Sequence, residues 1–536
     1  MANQTLSSYL HVVLHSFVSF IKAHPCISIL AYLFLRALHN RYASPLRSYP
    51  GPFLASVTRL WKVFSTVRGR THLDHIDLHR RYGPIVRIAP REISLSSPEA
   101  ARTVLSAGKG FYKTDFYWVF PPPENPDIFT EIREDVHAAK KRVANVPYSM
   151  AAMRQLSPFI DDTIDLLASK LGESCVDYQG QGRVDLGAWL HYFAFDVLGE
   201  VAFSRAFGFL ATGHDVEGAI RTIDNSQTYN GIVGQVPEWD YVLRRNPLWK
   251  IIPYFDPGNA LITRIASEEL GRRKPFKAEE EKSGGDGRRD LLGSLIKGHL
   301  KEGSGFGEGD VFAVAHGAIF AGSDSTASTM QSFFHFILSV PNVYNRLLDE
   351  MERAIKAGQV PTEGNVEYLQ SLELSYFQAC LKEAMRLRPA VGLNITRHVP
   401  ASGIELDGIN FAGGTRVALN AWVLHRDVDV FGKDANEFRP ERWLEDEEQA
   451  KKMERFMFQA SPALFFAFGG GAHVCIGRNL ALLEINKVIP RLLRDFKFVL
   501  VHPGRELKAH ASFFVVQEGL DVYIERNESS AKWKNA

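Results

Sequence analysis

A mainly α-helical body with a minor β-sheet part, behind an N-terminal membrane anchor, is the architecture this sequence predicts. Three observations predict it. Apolar residues recur at helical spacing through most long segments between residues 98 and 390. Strand-like runs are few and short, and they lie far apart at 85–95, 395–418 and 513–524. Two apolar runs, 9–21 and 26–35, stand ahead of everything else. Read from its residues alone, the body is α+β, with a small sheet assembled from distant parts of the chain.

The 536 residues are 45% hydrophobic and 23% charged, with a formal net charge of +1. That composition excludes disorder and low complexity. Its balance gives no electrostatic reason to expect nucleic acid or an acidic ligand. There is no strong internal repeat, so one large body is expected over residues 54–526. An anchor at 1–43, a proline-rich hinge at 44–53 and a polar tail at 527–536 complete the chain.

Taken in order, the two N-terminal apolar runs are interrupted by Lys22 and Pro25. Neither reaches the roughly 20 apolar residues of a simple spanning helix. Together they make one kinked span or an embedded hairpin, and Arg36, Arg41 and Arg47 behind them suit a cytoplasmic flank. A cleaved signal peptide is the competing reading; no small-residue cleavage site follows the apolar stretch to support it. The hinge Ser44–Phe53 carries three prolines and a glycine and cannot continue a helix. Residues 85–88 and 92–95 flank a turn and predict a β-hairpin. Helices are expected over 152–171, 186–204, 309–340, 342–357 and 366–387. A charged, glycine-rich surface loop is expected over 271–290, and strands at 395–399, 404–406, 410–418 and 513–524.

The four cysteines, Cys26, Cys175, Cys380 and Cys475, form no CxxC or zinc spacing. A disulfide framework is not expected, which fits a body in a reducing compartment. Cys175 and Cys380 read as small buried hydrophobes. Cys475 differs. It lies in Phe468–Gly477, FGGGAHVCIG, with glycines at 469, 470, 471 and 477 and a helical segment directly after it. Glycines let a backbone bend tightly and approach a flat ligand. A helix start favours a thiolate over a thiol, and a thiolate on haem iron favours O–O cleavage.

Phe468, Gly471, Cys475 and Gly477 resemble the haem-binding pattern of the cytochrome P-450 family, Phe-x-x-Gly-x-Arg-x-Cys-x-Gly. One position departs, since His473 stands where the family has Arg; the resemblance implies that His473 faces a haem propionate, with a charge that depends on pH. Glu383 and Arg386 share a helical face and are similar to the family's Glu-x-x-Arg, which joins a downstream Arg to lock the core behind the haem. Arg442 in FRPERW is the expected partner and Arg439 the other candidate. The segment Ala321–Thr326, AGSDST, resembles the family's distal-helix motif. It implies Asp324 as the proton-delivering acid, Ser325 in place of the usual Thr, and Thr326 beside it. His137 and Lys141 resemble the positions of the family's Trp-x-x-x-Arg helix, and Arg397 its propionate-binding strand; an ordinary solvated basic face is the competing reading of His137 and Lys141.

The resemblance spans residues 45–525 and looks nearest to fungal microsomal members, similar to the pisatin demethylase-like group. It implies the cytochrome P-450 fold, a haem-thiolate monooxygenase with Cys475 as the metal ligand, and electrons from a separate NADPH–cytochrome P-450 reductase. Dioxygen and an apolar small molecule (a terpenoid, polyketide or alkaloid from secondary metabolism) would be the substrates. The expected substrate contacts are Phe116, Trp118, Gly317, Phe320, Ala321, Val391 and Phe513. Lys140, Lys141, Arg142, Arg439, Arg442 and Arg478 would make a basic docking face for the reductase, against the plainer reading of scattered solvated charges. The expected location is the endoplasmic reticulum membrane, with the catalytic domain facing the cytosol. Two other functions compete: a haem-thiolate isomerase or dehydratase acting on peroxides, and a non-enzymatic haem sensor. The retained Asp324 and Ser325 argue against both.

Overall fold

A computed structural model describes residues 22–120, 125–175, 182–246, 261–274, 290–458 and 467–527, with residues 15 and 19. Its elements are mainly helical, with small sheets. Six helices carry or brace the functional side chains: α1 (Pro25–Leu38), α2 (Glu134–Ala144), α3 (Leu186–Phe203), α4 (Ala219–Val233), α5 (Glu308–Ser339) and α6 (Arg478–Asp495).

Two of these form the centre. Helix α3 is apolar nearly all round, LGAWLHYFAFDVLGEVAF, so burial on every side is its stable placement. The Asp185 side chain starts it by accepting a hydrogen bond from the Ala188 amide at 3.0 Å. It packs against α5, which begins where the Asp310 carboxylate accepts the Gly307 amide at 2.7 Å. The hydroxyl-rich middle of α5 stays helical because its hydroxyls donate back one turn: Ser323 to the Ile319 carbonyl, Ser325 to Ala321, Thr329 to Ser325 and Ser332 to Ser328. The weakening expected at Gly322 does not interrupt the helix; a Cβ there would lie 3.0 Å from Leu198 of α3, so the glycine serves close packing.

The expected hairpin forms as Ile85–Ala89 paired antiparallel with Glu92–Leu95. Glu92–Leu95 continues in parallel onto Arg416–Leu419, then Ile395–His398 and Tyr112–Lys113 complete a five-stranded sheet. A three-stranded sheet joins Arg183–Asp185, Asp521–Arg526 and Phe496–Leu500. The boundaries differ from expectation where the chain carries breakers. The helix expected at 152–171 is two, Met150–Gln155 and Ser157–Glu173, the second started by Pro158 in its first turn. That at 366–387 divides into Tyr368–Leu372 and Ser375–Leu387. The strand at 410–418 breaks at Gly413 and Gly414, and that at 513–524 at Gly519, whose φ is +90°.

Most of the first apolar run, nearly all of the loop at 271–290 and nearly all of the polar tail lie outside the described residues. The second run is helical, as α1. No helix among the described residues is long and apolar enough to cross a membrane.

Candidate functional site

The glycine-rich turn is built around Leu105. Gly469 and Gly471 have φ of +86° and +56°, and the Cys475 amide donates to the Phe468 carbonyl at 2.7 Å to close the loop. A Cβ at Gly471 would sit 1.9 Å from the Leu105 carbonyl oxygen, a backbone atom with no freedom to move aside. Gly471→Ala is therefore expected to cost about 2–4 kcal/mol in overpacking and left-handed strain. At Gly477 a Cβ meets only the Cys475 sulfur, at 3.9 Å, so Gly477→Ala should leave stability nearly unchanged. Urea midpoints of the two variants check this; equal midpoints would refute the steric account.

Helix α6 begins directly after the turn, and the amides of Gly477 and Arg478 point at the Cys475 sulfur. Burial pushes the thiol up, and it outweighs those amides and the charges of Lys141 and Arg478. The helix start thus does not by itself make the expected thiolate: the sulfur keeps its proton until a metal replaces it. Cys475 is nonetheless exposed. Ala321 is likewise exposed, halfway along the otherwise buried α5.

Beside the cysteine loop lie Lys113, Lys141, Arg397, His137 and His473. The two imidazole rings are 4.3 Å apart. Lys141 ties α2 to the loop by donating to the carbonyls of Ala472 and Val474 at 2.7 and 2.6 Å. Arg397 donates to the Tyr117 hydroxyl at 2.9 Å. Lys113 is buried on the carbonyls of Ile128, Phe129 and Glu131, and burial, then the Arg397 charge, pulls its ammonium down to about 7. Burial and the neighbouring cations push His137 down to about 3 and His473 to about 2. His473 is therefore neutral over the ordinary range, and the pH-dependent charge expected of it does not arise in this arrangement. Its Nε2 is 3.0 Å from the Glu134 carboxylate. The Nδ1 atoms of His137 and His473 are buried with no hydrogen-bond partner among the described residues.

Unsatisfied buried ring nitrogens among clustered cations suit acidic arms of a ligand, and a thiol on a tight amide-lined turn suits a soft metal centre. The residues present fit an iron porphyrin. Lys113 was not expected; a single lysine inside the aromatic run 111–120 was its only signal.

On α5, Asp324 and Thr326 are buried and Ser325 is partly so. One Asp324 oxygen is 2.7 Å from His191 Nε2 on α3, and the other accepts from the Gln227 amide on α4. The Ser325 hydroxyl proton goes to the Ala321 carbonyl at 2.7 Å, leaving its oxygen as an acceptor. Neither His191 nor Gln227 was expected from the sequence.

Of the expected substrate residues, Phe116, Val391 and Phe513 meet in one apolar cluster with Leu393. Trp118 points outward, 44% exposed, onto a cleft of about 540 Å³ also lined by Tyr117 and Tyr241. Gly317 makes room for Asp127, whose carboxylate oxygen would be 2.3 Å from a Cβ there. Phe320 packs beside His316, with ring centroids 5.5 Å apart.

Behind the turn, the Glu383 carboxylate is fully buried. It accepts two bonds from Arg386, one from Arg442 Nε and one from the Trp443 indole, each at 2.8–2.9 Å. Arg442 brings its side chain here; Arg439 contributes only its amide, and its side chain goes to Asp434 and Glu445. Three of the six residues expected in a basic docking face are engaged inside. Lys140 is buried on Asp310, Lys141 on the loop carbonyls and Arg442 on Glu383, so their charges do not reach a partner.

The family model for cytochrome P450 matches residues 50–522. The chain is 33% identical to a cytochrome P450 monooxygenase of Penicillium aethiopicum, gsfF, over 95% of this chain and 99% of that protein. It is 33% identical to the monooxygenase cicH of Emericella nidulans, over 91% of this chain and 95% of that protein. It is 32% identical to a pisatin demethylase of Fusarium vanettenii, over 92% and 91%.

Proposed function

The chain belongs to the cytochrome P450 family, and from that premise we propose that it hydroxylates or demethylates an apolar small molecule of fungal secondary metabolism. The monooxygenase class and a haem-thiolate cofactor, with NADPH as the electron source through a reductase, come with the family. The observation that carries the proposal is the glycine-rich Cys475 turn, with Lys141 donating to its carbonyls and the unpartnered His137 and His473 ring nitrogens beside it, in a chain that also holds a buried acid, Asp324, on α5.

Bound haem supplies the chemistry of dioxygen activation. Cys475 Sγ would ligate the iron, with the Gly477 and Arg478 amides fixing the direction of the sulfur. His137, His473, Arg397, Lys113 and Lys141 would hold its acidic edge, while Phe468 and Gly477 shape the turn. Asp324 Oδ1 holds the proton to be delivered, and the Ser325 oxygen accepts a hydrogen bond that keeps water in place. The apolar cluster of Phe116, Val391 and Phe513 excludes bulk water and favours apolar substrates; Trp118, Gly317, Phe320 and Ala321 bound their path. The likeness to a pisatin demethylase supports demethylation of a small molecule as one form of the reaction.

We place the body, residues 54–526, on the endoplasmic reticulum membrane, facing the cytosol. In support, no residue of α1 is buried, and Ile29, Leu30, Phe34 and Leu35 are each more than half exposed. Its 14 residues reach about 21 Å, short of the roughly 30 Å hydrocarbon core. Helix α1 is thus part of an anchor of residues 1–43 with the preceding apolar run, rather than a span by itself.

One assay tests both. Microsomes carrying the full chain and an NADPH–cytochrome P450 reductase should form oxidised product from apolar fungal metabolites, and the chain should remain in the membrane pellet after alkaline carbonate. Turnover with organic peroxide but none with NADPH would overturn the monooxygenase proposal. Release of the chain into the supernatant would overturn the anchor.

A further inference from the structure

We propose that His191 is a proton-feeding residue, acting through Asp324, and that the carboxyl of Asp224 refills it from solvent. This rests on the reading of Asp324 as the delivering acid. His191 interrupts an otherwise apolar stretch of α3 and crosses to the middle of α5, with its Nε2 2.7 Å from one oxygen of Asp324. The second Asp324 oxygen is held by the Gln227 side-chain amide, whose own oxygen takes the Phe514 amide at 3.3 Å. Gln227 fixes the plane of the carboxylate and cannot titrate. Of the two partners, only the imidazole can change its protonation near neutral pH.

The groups around His191 are acids on each element that faces it: Asp324 on α5, Asp224 on α4 and Asp215 in the turn before α4. Burial alone would strip the imidazole of its proton, but these three carboxylates outweigh burial and raise it. Asp224 lies one helical turn from Gln227 on the same face of α4, and its Oδ1 is buried with no hydrogen-bond partner among the described residues. Burial, then the charge of Asp324, pushes Asp224 up to about 7, with Glu518 adding to the repulsion. A carboxyl that gains and loses its proton near neutrality, beside an imidazole that holds one, is a reservoir.

The transfer balances without electrons. The His191 Nε2–H bond breaks as the Asp324 Oδ1–H bond forms, leaving a neutral imidazole. The neutral ring keeps its Nδ1–H, so the Asp224 proton returns through solvent to the vacated Nε2, and bulk water reprotonates Asp224. A pair that only braced α3 against α5 would need a lasting hydrogen bond and nothing more, which glutamine also provides.

The test uses the full-length, haem-loaded enzyme with its reductase. His191→Gln should lower NADPH-driven product formation on the order of a hundredfold, lower product per NADPH and raise the solvent deuterium isotope effect. Its reduced carbon monoxide spectrum should stay that of the wild type. Wild-type rate should fall as pH rises through about 7, where Asp224 loses its proton, and Asp224→Asn should abolish that step. Independently of turnover, hydrogen–deuterium exchange at the His191 C2 position should titrate above 6.5 and drop in Asp324→Asn. This arm decides the matter if His191→Gln does not fold. Unchanged rate, coupling and isotope effect in His191→Gln, or an exchange midpoint indifferent to Asp324→Asn, overturns the inference. If Asp324→Asn itself keeps full coupling, the reading of Asp324 as the acid falls with it.

Discussion

Cys475→Ala is expected to abolish monooxygenation and the strongly red-shifted Soret band of the reduced carbon monoxide complex, while leaving the chain folded. The sulfur makes few protein contacts that its loss would waste: two amides point at it, and its side chain is exposed. What disappears is the one soft ligand in the cluster. Cys475→Ser separates the two roles. Its hydroxyl can still accept the Gly477 and Arg478 amides, so the turn keeps its form, but a hard oxygen replaces the thiolate that promotes O–O cleavage. The serine variant should therefore match wild type in urea midpoint and match alanine in spectrum and turnover. A red-shifted band persisting in Cys475→Ala would mean that another group ligates the iron.

The second large effect is at Glu383. Replacing it with alanine strands two buried guanidinium groups and an indole N–H that share its oxygens. Breaking a buried pair this way costs about 3–5 kcal/mol, enough to remove most of the stability of a typical domain. The expected outcome is loss of cooperative unfolding and of haem retention, followed by circular dichroism and haem content. The pH dependence has a definite sign. Burial opposes the charge on Glu383, but Arg386 and Arg442 outweigh it, so its folded-state value lies below the ordinary 4.5. Its contribution is present in full above 4.5 and is lost as pH falls through the depressed folded value. The advantage of wild type over Glu383→Gln should accordingly be constant near neutrality and shrink in acid. An advantage that grew in acid would contradict the ion pairing.

The candidate site was legible in the sequence where its parts are local. The cysteine turn and its following helix occupy one stretch, and Glu383 and Arg386 are one helical turn apart. FRPERW holds two arginines, and only the fold decides between them: Arg442 faces the buried carboxylate while Arg439 turns to Asp434 and Glu445. His191 and Gln227 were missed because neither stands in a recognisable motif and packing brings each to Asp324 across more than 90 residues of chain; Lys113 lay unmarked in an aromatic run. Lys140, Lys141 and Arg442 drop out of the basic face for a related reason: a run of lysines and arginines shows charge but not which of those charges is already spent inside. Helix breaks were written in local chemistry, as Pro158 and Gly519 show, and boundaries there follow the breaker rather than the apolar period.

The mixed sheet has a consequence for the chain's synthesis. Among the described residues, Glu92–Leu95 finds its parallel partner at Arg416–Leu419, and in the separate three-stranded sheet Arg183–Asp185 pairs with Asp521–Arg526. An emerging polypeptide therefore carries open strand edges until nearly all of it has left the ribosome, since pairings so distant in sequence form late. Chaperone occupancy should persist to the last stages of translation, and a premature stop before residue 416 should leave an aggregating fragment rather than a smaller working protein.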